Sequence, residues 1–481
     1  MFLVQGAAES IDPEESVFIP RILSMLSSMP KNNILSETSI LMVGSLSEWL
    51  NVHPDQILVV MPILLEGVLQ EPTSGPCSIS LKDICQECSP MFQEDLICNI
   101  IRVCHVGLVQ GKMKKKVLVR LVEIGGYSAS ALPFDKVLVQ LEMVVVPIFE
   151  KLQQCLNEKP DNIPSRQKME HVLNCFLGIL RSVDPLEEPG GRTHPIVPIY
   201  SKLIAPFSQL GPWVVHEEIA LSAMLCINKA VEMSREELTS LIPTTCEILL
   251  TFFSATKFSC ILDSAALVIG MFASNEMCKN PVTTMFSMFF EESLNKIRSS
   301  QLSELQPDYL QGFMNLLTRV LKTEPWLLMS DADRQKSSLE CGIYLLQCPE
   351  TPTIKTACHF LSTIITNPQL KEGQPSVISL MGQQLVTVIM SCIGGAAPRH
   401  TMDHFAELIL VVNHYYVSQL NTWVANVFQI ENFPSTSVTP QQKEQFQRAI
   451  LREKVNKRRM KDIVNDFAII CRGLKGTAYV Q

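Results

Sequence analysis

The segment Thr351–Thr366, TPTIKTACHFLSTIIT, carries Ile354, Ala357, Cys358, Leu361, Ile364 and Ile365 at intervals that place them on one stripe of a 3.6-residue helix. Lys355 and His359 fall on another face, where a polar side chain meets water. Pro352 stands where the first turn of a helix tolerates a proline, and Pro368 lies just past the end, where a proline stops one. Strand-like alternation bounded by tight turns is scarce elsewhere. The expectation is an all-α chain.

On either side of this segment two helix types alternate. One carries a proline and a Leu/Ile run, as in residues 53–70 (HPDQILVVMPILLEGVLQ) and 235–253 (REELTSLIPTTCEILLTFF). The other has small residues on its apolar face, as in 260–274 (CILDSAALVIGMFAS) and 397–413. The second type recurs near 37–52, 77–90, 113–127, 164–183, 213–233, 258–274, 306–322, 351–366 and 398–416. Its starts are 40, 36, 51, 49, 45, 48, 45 and 47 residues apart. Two helices per unit with a period of about 40–47 residues mark a HEAT or armadillo array. Such a unit cannot bury its apolar face alone, so neighbours stack. The predicted organisation is one α-α superhelix over residues 1–481 with about ten helical pairs. Its binding surface would be extended rather than a deep pocket. Residues 184–198, DPLEEPGGRTHPIVP, lack apolar period and read as an exposed loop within the array.

Composition agrees. Of 481 residues 47% are hydrophobic, enough for a buried core and against wholesale disorder. With 40 Lys+Arg against 48 Asp+Glu the net charge is −8, which disfavours direct nucleic-acid binding. The sixteen cysteines sit irregularly among apolar neighbours, as reduced thiols packing in a core do, which points to a cytosolic or nuclear protein. The first sixteen residues lack the basic and apolar regions of a signal peptide. Residues 373–398 and 408–430 are uncharged, but Gln, Asn, Ser and Thr interrupt both at helical spacing, which argues against a lipid-spanning helix.

Motifs of catalysis are missing. No GxSxG elbow, GxxxxGK[ST] loop or GxGxxG turn occurs, and His216-Glu217-Glu218 lacks the second histidine of a zincin. Cys85 and Cys88 form a CxxC near Cys98, Cys104 and His105, but the spacing fits no zinc finger or ribbon, and packing on an apolar helix accounts for them. No enzyme, cofactor or metal is expected. Two basic clusters remain, 112–120 (KMKKKVLVR) and 454–461 (KVNKRRMK). Residues 441–481 hold ten Lys/Arg against four Asp/Glu, an excess of +6 that leaves −14 for the first 440. That asymmetry allows contact between the C-terminal end and an acidic partner or acidic inner surface.

The segments 44–54 (GSLSEWLNVHP), 81–88 (LKDICQEC), 349–357 (PETPTIKTA), 393–405 (IGGAAPRHTMDHF) and 450–473 (ILREKVNKRRMKDIVNDFAIICRG) are similar to the importin-13 branch of the karyopherin-β family. The resemblance runs in order along essentially the whole chain, through the final GLKGTAYVQ, and weakens at 184–193. It implies a HEAT solenoid that carries protein cargo through the nuclear pore under control of the GTPase Ran, shuttling between cytoplasm and nucleus. Nuclear pore proteins are then further partners, with no direct nucleic acid and no membrane insertion. Family members have about twice this many residues, and the main Ran-binding surface lies in their N-terminal half. This chain corresponds to the other, cargo-binding half, with 1–8 matching a helix interior.

In the family a basic pair near the middle of the array meets cargo. Lys322 matches the first position, but Thr323 replaces the second, and Arg319 stands one turn earlier. Arg319, Lys322, Lys355 and Arg399, on three successive small-residue helices, are therefore the cargo-binding candidates. A transportin-3-like receptor for Arg/Ser-rich splicing factors, or a HEAT scaffold of another complex, is the alternative.

Overall fold

Helices occur at every small-residue segment that the spacing marks out, in a computed structural model that describes residues 2–26, 32–186, 191–368 and 377–474. No strand occurs among the described residues. The chain divides into two compact units, 1–241 and 242–481. In the first, the small-residue helices are α1 (Asn33–Ser45), α2 (Ser74–Cys88), α3 (Lys115–Ser130), α4 (Ile163–Ser182) and α5 (Glu217–Ser234). In the second they are α6 (Ser259–Phe272), α7 (Pro307–Thr323), α8 (Thr351–Thr366), α9 (Met402–Phe428) and α10 (Lys457–Cys471). The last lies outside the predicted set. Within each unit every helix of this series packs on the next, forming a row. The intervening helices back the row: Pro54–Gly67 lies against α2, Glu94–Gln110 against α3, Ile242–Thr256 against α6 and Ala332–Leu345 against α8.

Small residues are what bring the row together. A methyl group at Gly126 of α3 would collide with Ser182 of α4, and one at Gly44 of α1 would stand 2.7 Å from the Ser80 backbone of α2. Absence of Cβ permits that approach. Hydroxyls and thiols then find carbonyls across the gap. Ser80 Oγ donates to Ile40 O at 2.7 Å, and Cys226 Sγ of α5 to Leu173 O of α4 at 3.3 Å. All sixteen cysteines, each among the described residues, are thiols, and fourteen of them are buried.

Three segments depart from the predicted boundaries. Residues 235–253 are not one helix: a 3-10 segment, Arg235–Leu241, precedes Ile242–Thr256. Pro243 therefore occupies a first helical turn, where its missing N–H is harmless, rather than an interior. The 398–416 helix begins only at Met402, after Gly395 takes φ 139° and a short 3-10 turn covers Arg399–Thr401. In the 184–198 loop, a helix resumes at Ile196 behind Pro195, and His194 is buried, its backbone N–H donating to the Glu237 carboxylate at 2.6 Å. That loop is thus anchored at its end, while residues 187–190 lie outside the described residues, as do 369–376 and 475–481. The apolar stretch Val377–Ala396 is long and apolar enough to cross a membrane by length and composition, yet half of it is buried within the protein.

Candidate functional site

Helix α8 behaves as its sequence predicts. Ile354, Ala357, Cys358, Leu361, Ile364 and Ile365 are all buried, and Phe360 joins them, while Lys355 and His359 are exposed one turn apart. Because α8 packs on α7 and α9, and α9 on α10, its polar side faces residues from three neighbours. Lys355, His359 and Ser362 of α8, His404, Glu407, Leu410 and Val411 of α9, and Lys457 of α10 line a groove of about 460 Å³, floored by Cys358.

The groove is electrostatically uneven. From α7, Lys322 Nζ lies 3.0 Å from His359 Nε2, so the ammonium donates and the imidazole accepts as the neutral ring. Burial lowers the His359 pKa, and Lys322 and Lys355 lower it further. His404 is likewise pushed down, first by burial and then by Lys355. On the opposite edge Lys461 bridges Glu407 at 2.9 Å and Asp403 at 3.5 Å. The Lys461 hydrogen bond holds the Glu407 carboxyl below its ordinary range, and the same contact raises Lys461. Asp403 also accepts from Asn465 at 3.0 Å. Both carboxylates are thus already engaged, whereas Lys355 and Lys457 are exposed at the groove. A surface of this kind can take up an anion.

Of the four sequence candidates, Lys355 lines the groove and Lys322 adjoins it through His359. Arg319 is exposed on α7 but lies over α6, where a Cβ at Gly270 would meet its Nε at 3.1 Å. Arg399 is not on the α9 helix at all. It sits in the 3-10 turn before it, close enough to Arg472 to disfavour that group's charge, though burial is the larger cause of the Arg472 shift. His359, His404, Glu407 and Lys457 were not picked out as site residues. The i, i+4 spacing of Lys355 and His359, and the place of Lys457 in the 454–461 basic cluster, were the legible traces of them.

The remaining motifs make contacts within the protein. Cys85 and Cys88 are fully buried, and burial pushes both thiols up to about 12. No group of three His, Cys, Asp or Glu suited to a metal occurs among the described residues. His216 Nδ1 accepts from Arg166 at 3.1 Å. In the first basic cluster, Lys115 Nζ donates to Gln167 O at 3.0 Å and Arg120 to Ser78 Oγ at 3.3 Å. The C-terminal cluster meets the acidic pair of α9 through Lys461.

Comparison with known proteins follows the same chain order. A family described as "Transportin-3/Importin-13 third TPR domain" matches residues 16–101, and "Importin 13 repeat" matches 346–420. Importin-13 of Gallus gallus is 29% identical over 99% of this chain and 51% of its own length. Importin-13 of Homo sapiens is 28% identical over 99% of this chain and 50% of its own. A solved structure titled "Importin13 cytosolic state" superposes with a TM-score of 0.86 at 23% identity, covering 98% of this chain and 54% of that one. The chain therefore spans about half the length of these relatives.

Proposed function

From a chain that is related to importin-13 along nearly its whole length, we propose the cargo-binding C-terminal half of a nuclear transport receptor. The observation that carries the reading is the similarity itself, continuous over 99% of the chain and reaching the α9–α10 end. The receptor carries protein cargo through the nuclear pore, meets pore proteins on the way and is controlled by Ran, whose main surface is expected outside this half. It shuttles between cytoplasm and nucleus and performs no catalysis. Stacked helical pairs suit the task, because they offer a long surface whose polar positions can change without disturbing the packed stripes. Arg319, Lys322, Lys355 and Arg399 are the proposed cargo contacts, with Lys322 and Lys355 the two that converge. The family description that also names transportin-3 leaves a transportin-3-like receptor as the second reading.

The test is affinity capture from cytosol on the immobilised chain and on a version extended with the N-terminal half of a relative, each with and without GTP-loaded Ran. Cargo should be retained by both and released by Ran more strongly from the extended version. Capture indifferent to Ran in both would refute the transport reading and favour a scaffold.

A further inference from the structure

We propose that the α8–α9–α10 groove is a receptor for a carboxylate of an acidic protein segment, and that binding there draws a proton onto His359 or His404. The proposal rests on the transport reading only in taking this face as partner-binding, and it names the chemistry of the contact.

Geometry supplies the first argument. Two lysines from different helices, Lys355 and Lys457, stand on the groove exposed and border the same cavity as two imidazoles. A volume of about 460 Å³ admits a side-chain carboxylate with part of its backbone. Charge is the second. The groups that face His359 are Lys355 on its own helix, Lys322 from α7, His404 and Glu407 from α9, and Lys457 from α10. His404 faces Lys355, Asp403, Glu407 and Lys461. Glu407 and Asp403 are both held by Lys461, so the unbalanced charge at the groove is positive. Burial and nearby cations push both imidazoles down, with Glu407 and Asp403 opposing the shift at His404. An incoming carboxylate reverses that balance, because an opposite charge within a few ångströms favours the protonated ring. Lys322, now donating to His359 Nε2, is released to the anion when the ring takes a proton.

Binding linked to protonation must weaken as pH rises. The probe is a synthetic peptide of alternating Glu and Ser, with a Gln-for-Glu version as control, titrated calorimetrically into the full chain without Ran or cargo. Running each titration in two buffers of different ionisation enthalpy counts the protons. The Glu peptide should bind, the Gln peptide should not, and about 0.3–1 proton should be taken up per peptide near pH 7. Affinity should rise roughly tenfold between about pH 8 and pH 6. His359→Gln with His404→Gln should abolish the uptake. Lys355→Gln with Lys457→Gln should weaken binding about tenfold throughout. No binding by the wild type, no proton uptake, or an unchanged uptake in the histidine variant overturns the proposal. The wild-type proton count stands even if a variant misfolds. Ran-independent cargo capture would sink the transport reading without touching this result.

Discussion

Asn413 ties the last two helical pairs together, and replacing it tests how that end is held. Its side chain is 1% exposed, on α9, and its Nδ2 donates to Ile450 O at 2.8 Å and Glu453 O at 2.7 Å. Ile450 lies in the last turn of the helix Pro440–Arg452, whose last four carbonyls have no partner within the helix, and Glu453 is the extended residue just past its end. Asn413→Leu keeps the branched outline with a somewhat larger side chain, and removes both donors together with the unpartnered Oδ1. Each hydrogen bond contributes about 0.5–1.5 kcal/mol net, and each buried carbonyl left unpaired costs about 1–3 kcal/mol. Part of that loss recovers if water enters, so the expected effect is about 2–4 kcal/mol. A repeat array need not unfold in one step, so a single midpoint is the wrong observable. Hydrogen exchange read by mass spectrometry resolves the region. Peptides covering 440–471 should exchange roughly 30- to 900-fold faster, the factor that corresponds to this free energy when opening is local. Peptides from residues 32–186 should not change. Exchange of 440–471 within about twofold of wild type would refute the claim that Asn413 anchors this end.

Gly126→Val should destabilise the first unit by about 1–3 kcal/mol, because its side chain has no room beside Ser182; hydrogen exchange of peptides covering 115–182 at the wild-type rate would contradict the close α3–α4 approach. Cys85 and Cys88, buried and with thiols raised to about 12, should resist iodoacetamide in the native protein at about pH 8, while the half-buried Cys98 reacts first; mass spectrometry of labelled Cys85 at full stoichiometry would be inconsistent with the packing role. His171 is pushed down to about 4 by burial and by Lys115 and Lys151. Its folded pKa lies below the unfolded 6.5, so it contributes stability above pH 6.5 that is lost as the pH falls towards about 4. His171→Gln should flatten that part of the stability profile, and an unchanged acid slope would disprove it. Reversing Lys322, Lys355 and Arg399 to Glu should weaken capture of an acidic cargo and reduce its salt dependence while leaving the helical spectrum intact; undiminished capture would move the cargo surface elsewhere.

Period and composition were enough to read the helices. Ile354, Ala357, Cys358, Leu361 and Ile365 form a stripe by spacing alone, because a helix's periodicity is local and written into consecutive residues. The recurrence of small-residue helices was legible for the same reason, since a methyl too many at Gly44 or Gly126 would push the neighbouring backbone away. Boundaries were less secure. Pro243 and Gly395 act through one backbone position each, and their effect depends on whether the flanking residues continue a helix or leave it. The groove was not legible. His359, His404 and Lys457 are separated by about fifty residues each in sequence, and no local pattern joins them. Their meeting depends on the stacking of α8, α9 and α10, and so does the engagement of Glu407 by Lys461 that leaves the site positive. Charge count along the chain marked the C-terminal end as basic, but which of its lysines is spent on an internal partner and which faces the groove is settled only by packing.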